Sequence, residues 1–240
     1  MRVATFNILH GRVGPRGPVD PRALGDAVRR LDADVLALQE VDRDQPRSGG
    51  ADLTAVAAAA MGAVAHRFAP AVTGLPGDWV AATGSEAVGT PAYGIALLSR
   101  LPVRSWCTVR LRAPGREEPR VALVAEVSTP GGRLTVVGTH LSFVPWTAGR
   151  QLRALAREIG DSPRPLLLLG DLNAGRARVE RVSGLRSLAD VATYPADRPD
   201  RQLDHVLADG PLRAAAVEAP RLPVSDHRAL VVELAGPDQG

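Results

Sequence analysis

Short runs of Val, Leu and Ile recur along the chain between polar or glycine-rich stretches. Their length and residue types predict strands at 2–7, 35–39, 94–99, 103–112, 121–128, 134–140, 166–170, 203–207 and 230–234. Three of these follow one another between residues 103 and 140. Pro130-Gly131-Gly132 marks a turn between the last two, so this part is expected to be an antiparallel meander. Helical spacing is clearest at 21–31, where apolar residues fall at 24, 27, 28 and 31 behind Asp20 as N-cap and Pro21 at the first helical position. Helices are also expected at 53–61 and 150–159. Residues 73–91 hold Gly74, Gly77, Gly84, Gly89, Pro76 and Pro91 with no period, the mark of a long surface loop. That loop carries Asp78, Trp79 and Glu86, and it is either a rim over a site or a plain insertion.

Length and composition narrow the class. The chain has 240 residues, 45% hydrophobic and 23% charged, which excludes a disordered, collagenous or coiled-coil protein and suits one domain. That domain is expected over 1–235, with a flexible tail at 236–240. Cys107 is the only cysteine, so there is neither an intramolecular disulfide nor a Cys-based zinc site, and a reducing compartment is implied. The longest apolar run, 55–65, is too short to cross a bilayer, and Thr5 and Asn7 interrupt the apolar N-terminus where a secretory signal would be continuous. A cytoplasmic monomer without a transmembrane segment is expected. Net charge is +3, and every basic residue is arginine, whose high pKa inflates the pI of about 9.9. The pI alone therefore says little about nucleic acid.

The informative polar residues stand at strand ends. Asn7 closes the first strand, Gln39-Glu40 the second and Thr139-His140 the meander, while Asp171 and Asn173 follow the run Leu166 to Leu169. Asp204-His205 interrupts the apolar stretch near Leu203, and Ser225-Asp226-His227 precedes the last strand. Strands of one sheet can bring such ends to one edge. Hard oxygen donors of this kind suit Mg²⁺, with Mn²⁺ or Ca²⁺ as relatives, and Mg²⁺ is commonly held by one or two carboxylates together with phosphate oxygens. A further carboxylate can deprotonate water, and imidazoles can donate to phosphate oxygens as charge builds. The set points to metal-assisted phosphoryl chemistry.

Asn7 in ATFNILHG, Glu40 in LALQEVD, YGIALLSR, His140 in VVGTHLS, Asp171 and Asn173 in LLLLGDLNAG, Asp204 in QLDHVLA and Asp226-His227 in VSDHRAL resemble, in order and spacing, the endonuclease/exonuclease/phosphatase superfamily. The matching segments run from residue 2 to about 234. The resemblance implies a DNase I-like α/β fold, a four-layer α/β/β/α sandwich of two mixed, mostly antiparallel sheets with helices outside. It also implies phosphoester hydrolysis with Mg²⁺, or Mn²⁺ in its place. Carried over residue by residue, Glu40 resembles the principal metal ligand, with Asn7 close to ion and phosphate and Asp226 a further ligand or an acid that supports the ligands from behind. Asp171 resembles the base that aligns the attacking water, and Asn173 its neighbour. His227, oriented by Asp204, resembles the imidazole that contacts the phosphate, and His140 a second donor. The expected partner is a phosphoester, with nucleic acid and a phospholipid headgroup among the candidates.

Other chemistries fit less well. Asp171-Leu172-Asn173 begins like a calcium loop, but Gly175 comes one place early and Val182 cannot ligate at the twelfth position. No G-x-S-x-G elbow accompanies Ser225. His10 and His66 are expected to be surface or packing residues, His205 to face away from Asp204, Arg100 to be structural or at a rim, and Gln151 to be a solvated or rim group. His140 stands where abasic-site repair members of the superfamily carry tyrosine, and aromatics are only 3%, which together disfavour DNA repair. The alternatives are an inactive scaffold of the same fold and an arginine-based nucleic-acid-binding module.

Overall fold

The computed structural model describes residues 1–115 and 117–235, so the expected tail at 236–240 lies outside the described residues. In chain order the elements are β1 (Arg2–Asn7), α1 (Pro21–Leu31), β2 (Val35–Arg43), α2 (Leu53–Met61), β3 (Ala65–Thr73), β4 (Val80–Ala81), β5 (Ala92–Ser99) and β6 (Val103–Leu111). They continue with β7 (Arg120–Thr129), β8 (Gly132–His140), α3 (Pro145–Glu158), β9 (Leu166–Asp171), α4 (Arg176–Ser183), β10 (Arg186–Ser187), β11 (Asp204–Asp209), β12 (Ala214–Glu218) and β13 (Leu230–Leu234).

The strands form two sheets, one ordered β12-β13-β1-β2-β5-β3-β4 and the other β10-β11-β9-β8-β7-β6. Each contains one parallel pair, β1 with β2 and β8 with β9, and the rest is antiparallel. A parallel pair needs a crossover, which α1 supplies in the first sheet and α3 in the second. Alternation along the strands divides the apolar side chains into three layers. Val3, Ala37, Leu97, Leu123, Val136 and Leu169 meet between the sheets. Phe6, Leu36, Leu38 and Leu98 face α1 and α2, while Val137, Leu166 and Leu168 face α3 and α4. Helix, sheet, sheet, helix is the layering that results. Among the described residues no helix is long and apolar enough to cross a membrane.

Local chemistry accounts for the helix starts. Asp20 accepts from the amides of Arg22 (2.8 Å) and Ala23 (3.2 Å), and Asp52 caps α2 from Ala55 at 3.0 Å. α3 begins at Pro145 rather than residue 150, because proline suits the first helical turn and Ala148 and Leu152 already face the sheet. Several elements escape the apolar pattern. Pro70 and exposed polar residues mask β3, every residue of β12 is exposed, and α4 buries Val179 alone on its face. The expected loop at 73–91 contains the two-residue strand β4, and Trp79 stacks on Tyr93 with centroids 5.0 Å apart.

Candidate active site

Both parallel pairs end at the same edge of the sandwich. Asn7 pairs in register with Gln39 at the end of β1, and His140 with Asp171 at the end of β8. Strand β11 starts at that edge too, with Asp204 beside Asp171.

Glu40 arrives by a departure from strand geometry. Leu36, Leu38 and Val41 all face the helices, so the alternation skips one residue, and the register with β5 shifts between Leu38 and Val41. This is a β-bulge, with Glu40 at φ 56°, and it turns the Glu40 side chain inward toward Asn7. The expectation that Gln39-Glu40 closes the strand is corrected here, since β2 continues to Arg43. The second sheet uses close approach instead. A Cβ at Gly170 would stand 2.1 Å from the carbonyl oxygen of Thr139, so only glycine lets β9 lie against β8 at the residue before Asp171.

One amide links the two carboxylates, for Asn7 Nδ2 donates to Glu40 Oε1 at 3.0 Å and to Asp171 Oδ2 at 3.1 Å. The Leu9 amide holds Asn7 Oδ1 at 3.1 Å. Asp171 also accepts from the backbone N–H of Asn173 at 3.0 Å, and Asn173 Nδ2 donates to the Leu141 carbonyl. His140 Nε2 lies 3.6 Å and His227 Nε2 3.8 Å from Asp171 Oδ2. His227 Nδ1 donates to Asp204 Oδ2 at 2.9 Å, and the loop that carries it is tied down by Ser225, whose hydroxyl donates to the Asn7 carbonyl and accepts from the His227 amide.

Electrostatics follow from burial and partner. Burial pushes Asp171 up to about 7, helped by the charge of Asp204 and opposed by His227 and by the hydrogen bonds from Asn7 and Asn173. Glu40 is also raised, chiefly by burial. Burial alone would lower His227, but Asp204, followed by Asp171 and Asp226, lifts it to about 9. His140 goes the other way, driven well below its ordinary value by burial, the Arg120 guanidinium and His227.

The structure thus gathers Asn7, Glu40, His140, Asp171, Asn173, Asp204 and His227 through direct contacts. Asp226 is felt through its charge on Glu40 and His227. Arg100 is structural, binding the Met61 carbonyl and Asp32. His205 is buried with Nε2 2.8 Å from the Ala174 carbonyl, and His66 is exposed. Gln151 is not a rim group: it is buried, accepts from the Ser142 amide at 2.8 Å and braces the segment after His140. His10 belongs to the site, with Nδ1 3.7 Å from Glu40 Oε2, and burial with Arg47 and Arg12 lowers it to about 3. Sequence reasoning also missed Arg120 on His140, Tyr194 packed on the His227 ring at 4.8 Å, and Arg47, which is held by the fully buried Asp42 and lies over Trp79 and Tyr93. The only available signals were the acid-arginine pairs near Glu40 and ahead of β7.

The donor set fits a hard divalent cation. Two carboxylates, Asp171 buried and Glu40 half-buried, both raised chiefly by burial, share one amide. Among the described residues Asp204 Oδ1 is buried without a hydrogen-bond partner, and ligand atoms of Asp171, Asp204 and His227 all lie within 4.8 Å of one another.

The family model described as Endonuclease/Exonuclease/phosphatase family matches residues 4–227. Among solved structures, an endonuclease/exonuclease/phosphatase from Beutenbergia cavernae is 26% identical, with a TM-score of 0.78 over 98% of this chain and 71% of that one. A Bacteroides thetaiotaomicron mannosyl-6-phosphatase is 13% identical at TM-score 0.67, covering 98% of this chain and all of the other. The catalytic domain of human Nocturnin is 21% identical at TM-score 0.65, covering 98% and 94%. The comparison with curated proteins finds no match.

Proposed function

Because the chain belongs to the endonuclease/exonuclease/phosphatase family, a phosphoesterase fold, we propose that it is an Mg²⁺-dependent phosphoric ester hydrolase in which Asp171 directs a water onto phosphorus. The observation that carries this reading is the seat of Asp171 Oδ2, which faces Asn7 at 3.1 Å, His140 at 3.6 Å and His227 at 3.8 Å. A carboxylate so placed can take a proton from water while the two rings stand beside the phosphate oxygens. Asn173, fixed on the Leu141 carbonyl, bounds the same space.

Glu40 and Asp226, with the free lone pair of Asn7 Oδ1, would hold the ion. Mg²⁺, or Mn²⁺ in its place, supplies charge neutralisation at a phosphoryl oxygen when bound. The chain's own groups do the rest. Asp204 fixes His227 with Nδ1–H inward, so Nε2 carries the second proton at neutral pH and can pass it to a leaving oxygen. A cavity of about 490 Å³, lined by Glu117, Glu118, Arg120, Ser142 and Phe143, adjoins His140 and offers room for the remainder of the substrate.

Similarity to a mannosyl-6-phosphatase supports including monoesters among the candidates. We take residues 1–235 as a single catalytic domain acting as a cytoplasmic monomer, in keeping with one exposed cysteine. The deciding experiment is a panel of DNA, RNA, sphingomyelin, phosphoinositides and small monoesters in one Mg²⁺ buffer. Turnover of at least one, lost in Asp171→Asn, is the expected result; no turnover of any would contradict the reading.

A further inference from the structure

His140 has two nitrogens in different company. Nδ1 lies 3.2 Å from Arg120 Nη1, whereas Nε2 points toward Asp171 Oδ2 at 3.6 Å and Asn173 Nδ2 at 3.4 Å. A guanidinium has no lone pair and can only donate. The imidazole nitrogen that faces it must therefore accept, and an accepting Nδ1 in a neutral ring leaves the proton on Nε2. The doubly protonated ring is excluded by the same contact, since its Nδ1–H would meet an Nη1–H head on.

Asn173 offers the one competing arrangement, in which its amide donates to Nε2. Its Nδ2 gives one of its two hydrogens to the Leu141 carbonyl at 3.0 Å, and the contact left to the other, 3.4 Å from His140 Nε2, is longer than the 3.2 Å between Arg120 and Nδ1 and lies beyond the ordinary range for a nitrogen donor. Exchanging its amide atoms would set Oδ1 against that carbonyl. The arginine contact decides. Arg120 is itself held fast: it is 7% exposed, and its Nη1 is ion-paired with Glu118 Oε1 at 2.7 Å. Thr139 and Ala122 fix the spacing, because β7 and β8 pair in register there and Arg120 begins β7.

We propose that Arg120, braced by Glu118, is a positioning residue that locks His140 as the neutral Nε2–H tautomer, making it a fixed hydrogen-bond donor on the Asp171 side rather than a proton carrier. This deepens the hydrolase reading and rests on it for its purpose. His227 is locked the opposite way by Asp204, with Nδ1–H inward and Nε2 free to exchange a proton. The two rings then divide the work: His140 orients a phosphoryl oxygen, and His227 moves the proton.

The test is ¹⁵N NMR of the histidine ring nitrogens in the full chain at neutral pH, with the His140 signals identified by their loss in His140→Gln. The expected spectrum shows His140 with a protonated Nε2 and a bare Nδ1. A protonated Nδ1, alone or in a doubly protonated ring, would overturn the proposal. Arg120→Met should mix the tautomers and lower turnover about 10- to 100-fold, the usual cost of losing such an orienting partner. Arg120→Lys, which still donates, should restore the wild-type ring signature. An unaltered Nε2–H ring in Arg120→Met would show that arginine does not set it. The wild-type spectrum needs no turnover, so it decides even if every substrate fails and the hydrolase reading falls with them.

Discussion

His140 and His227 stand on either side of one carboxylate oxygen, at similar distances and both nearly buried, yet their proton affinities move in opposite directions. Burial acts on both rings alike. The sign of the neighbour on the far nitrogen separates them, arginine for His140 and aspartate for His227. An imidazole's role in such a site is thus set from the side facing away from the chemistry. The same contrast appears one level up: β1–α1–β2 and β8–α3–β9 are equivalent units, but the first presents its carboxylate through a bulge and the second through unbroken alternation.

The largest effect should come from the carboxylate the two rings share. Asp171→Asn keeps the shape and removes the base, and turnover should fall roughly 10²- to 10⁴-fold in steady-state assays. Next, His227→Ala and Asp204→Asn should each cost turnover by similar factors, because ring and carboxylate act together. The double variant should be scarcely worse than either, and multiplicative losses would refute that coupling. A smaller effect concerns pH. If the protonated His227 is required, turnover should decline as pH rises through about 9, and in Asp204→Asn that decline should move to lower pH, since the charge that raised the ring is gone. A rate profile with unchanged limbs would count against it.

Stability carries the same signature in milder form. The folded pKa of His227, about 9, exceeds the ordinary 6.5, so its stabilisation is fully present below pH 6.5 and is lost as pH rises through 9. Urea midpoints of wild type should therefore drop more between these values than those of His227→Gln.

Much of this could be seen in the chain itself, for a physical reason. β9 is buried on both faces, so its leucines form one unbroken apolar run, and the polar pair after it stands out. β1, β8 and β13 are legible on the same grounds. What stayed hidden lacks a hydrophobic signature: β12 has no buried face, β3 carries a proline, and α4 rests on one valine. Site partners divide similarly. Asp171 and His227 fall at strand ends where polar residues are conspicuous, whereas Arg120 starts a strand among many other arginines and His10 sits in a short turn with φ 48°. Their roles depend on which groups the fold brings alongside, and Arg120, paired with Glu118, meets His140 only because β7 pairs with β8. Glu40 was identifiable by motif, but the bulge that aims it inward was not, since nothing in LALQEVD marks an extra residue.

In the proposed reaction the Glu40 and Asp171 carboxylates serve a cation-assisted attack on phosphorus. Hydrolysis of an aryl phosphodiester, followed first in Mg²⁺ and then in excess EDTA, tests this directly. Turnover that vanishes on chelation and returns when Mg²⁺ or Mn²⁺ is restored is the predicted result; an undiminished rate in EDTA would contradict it.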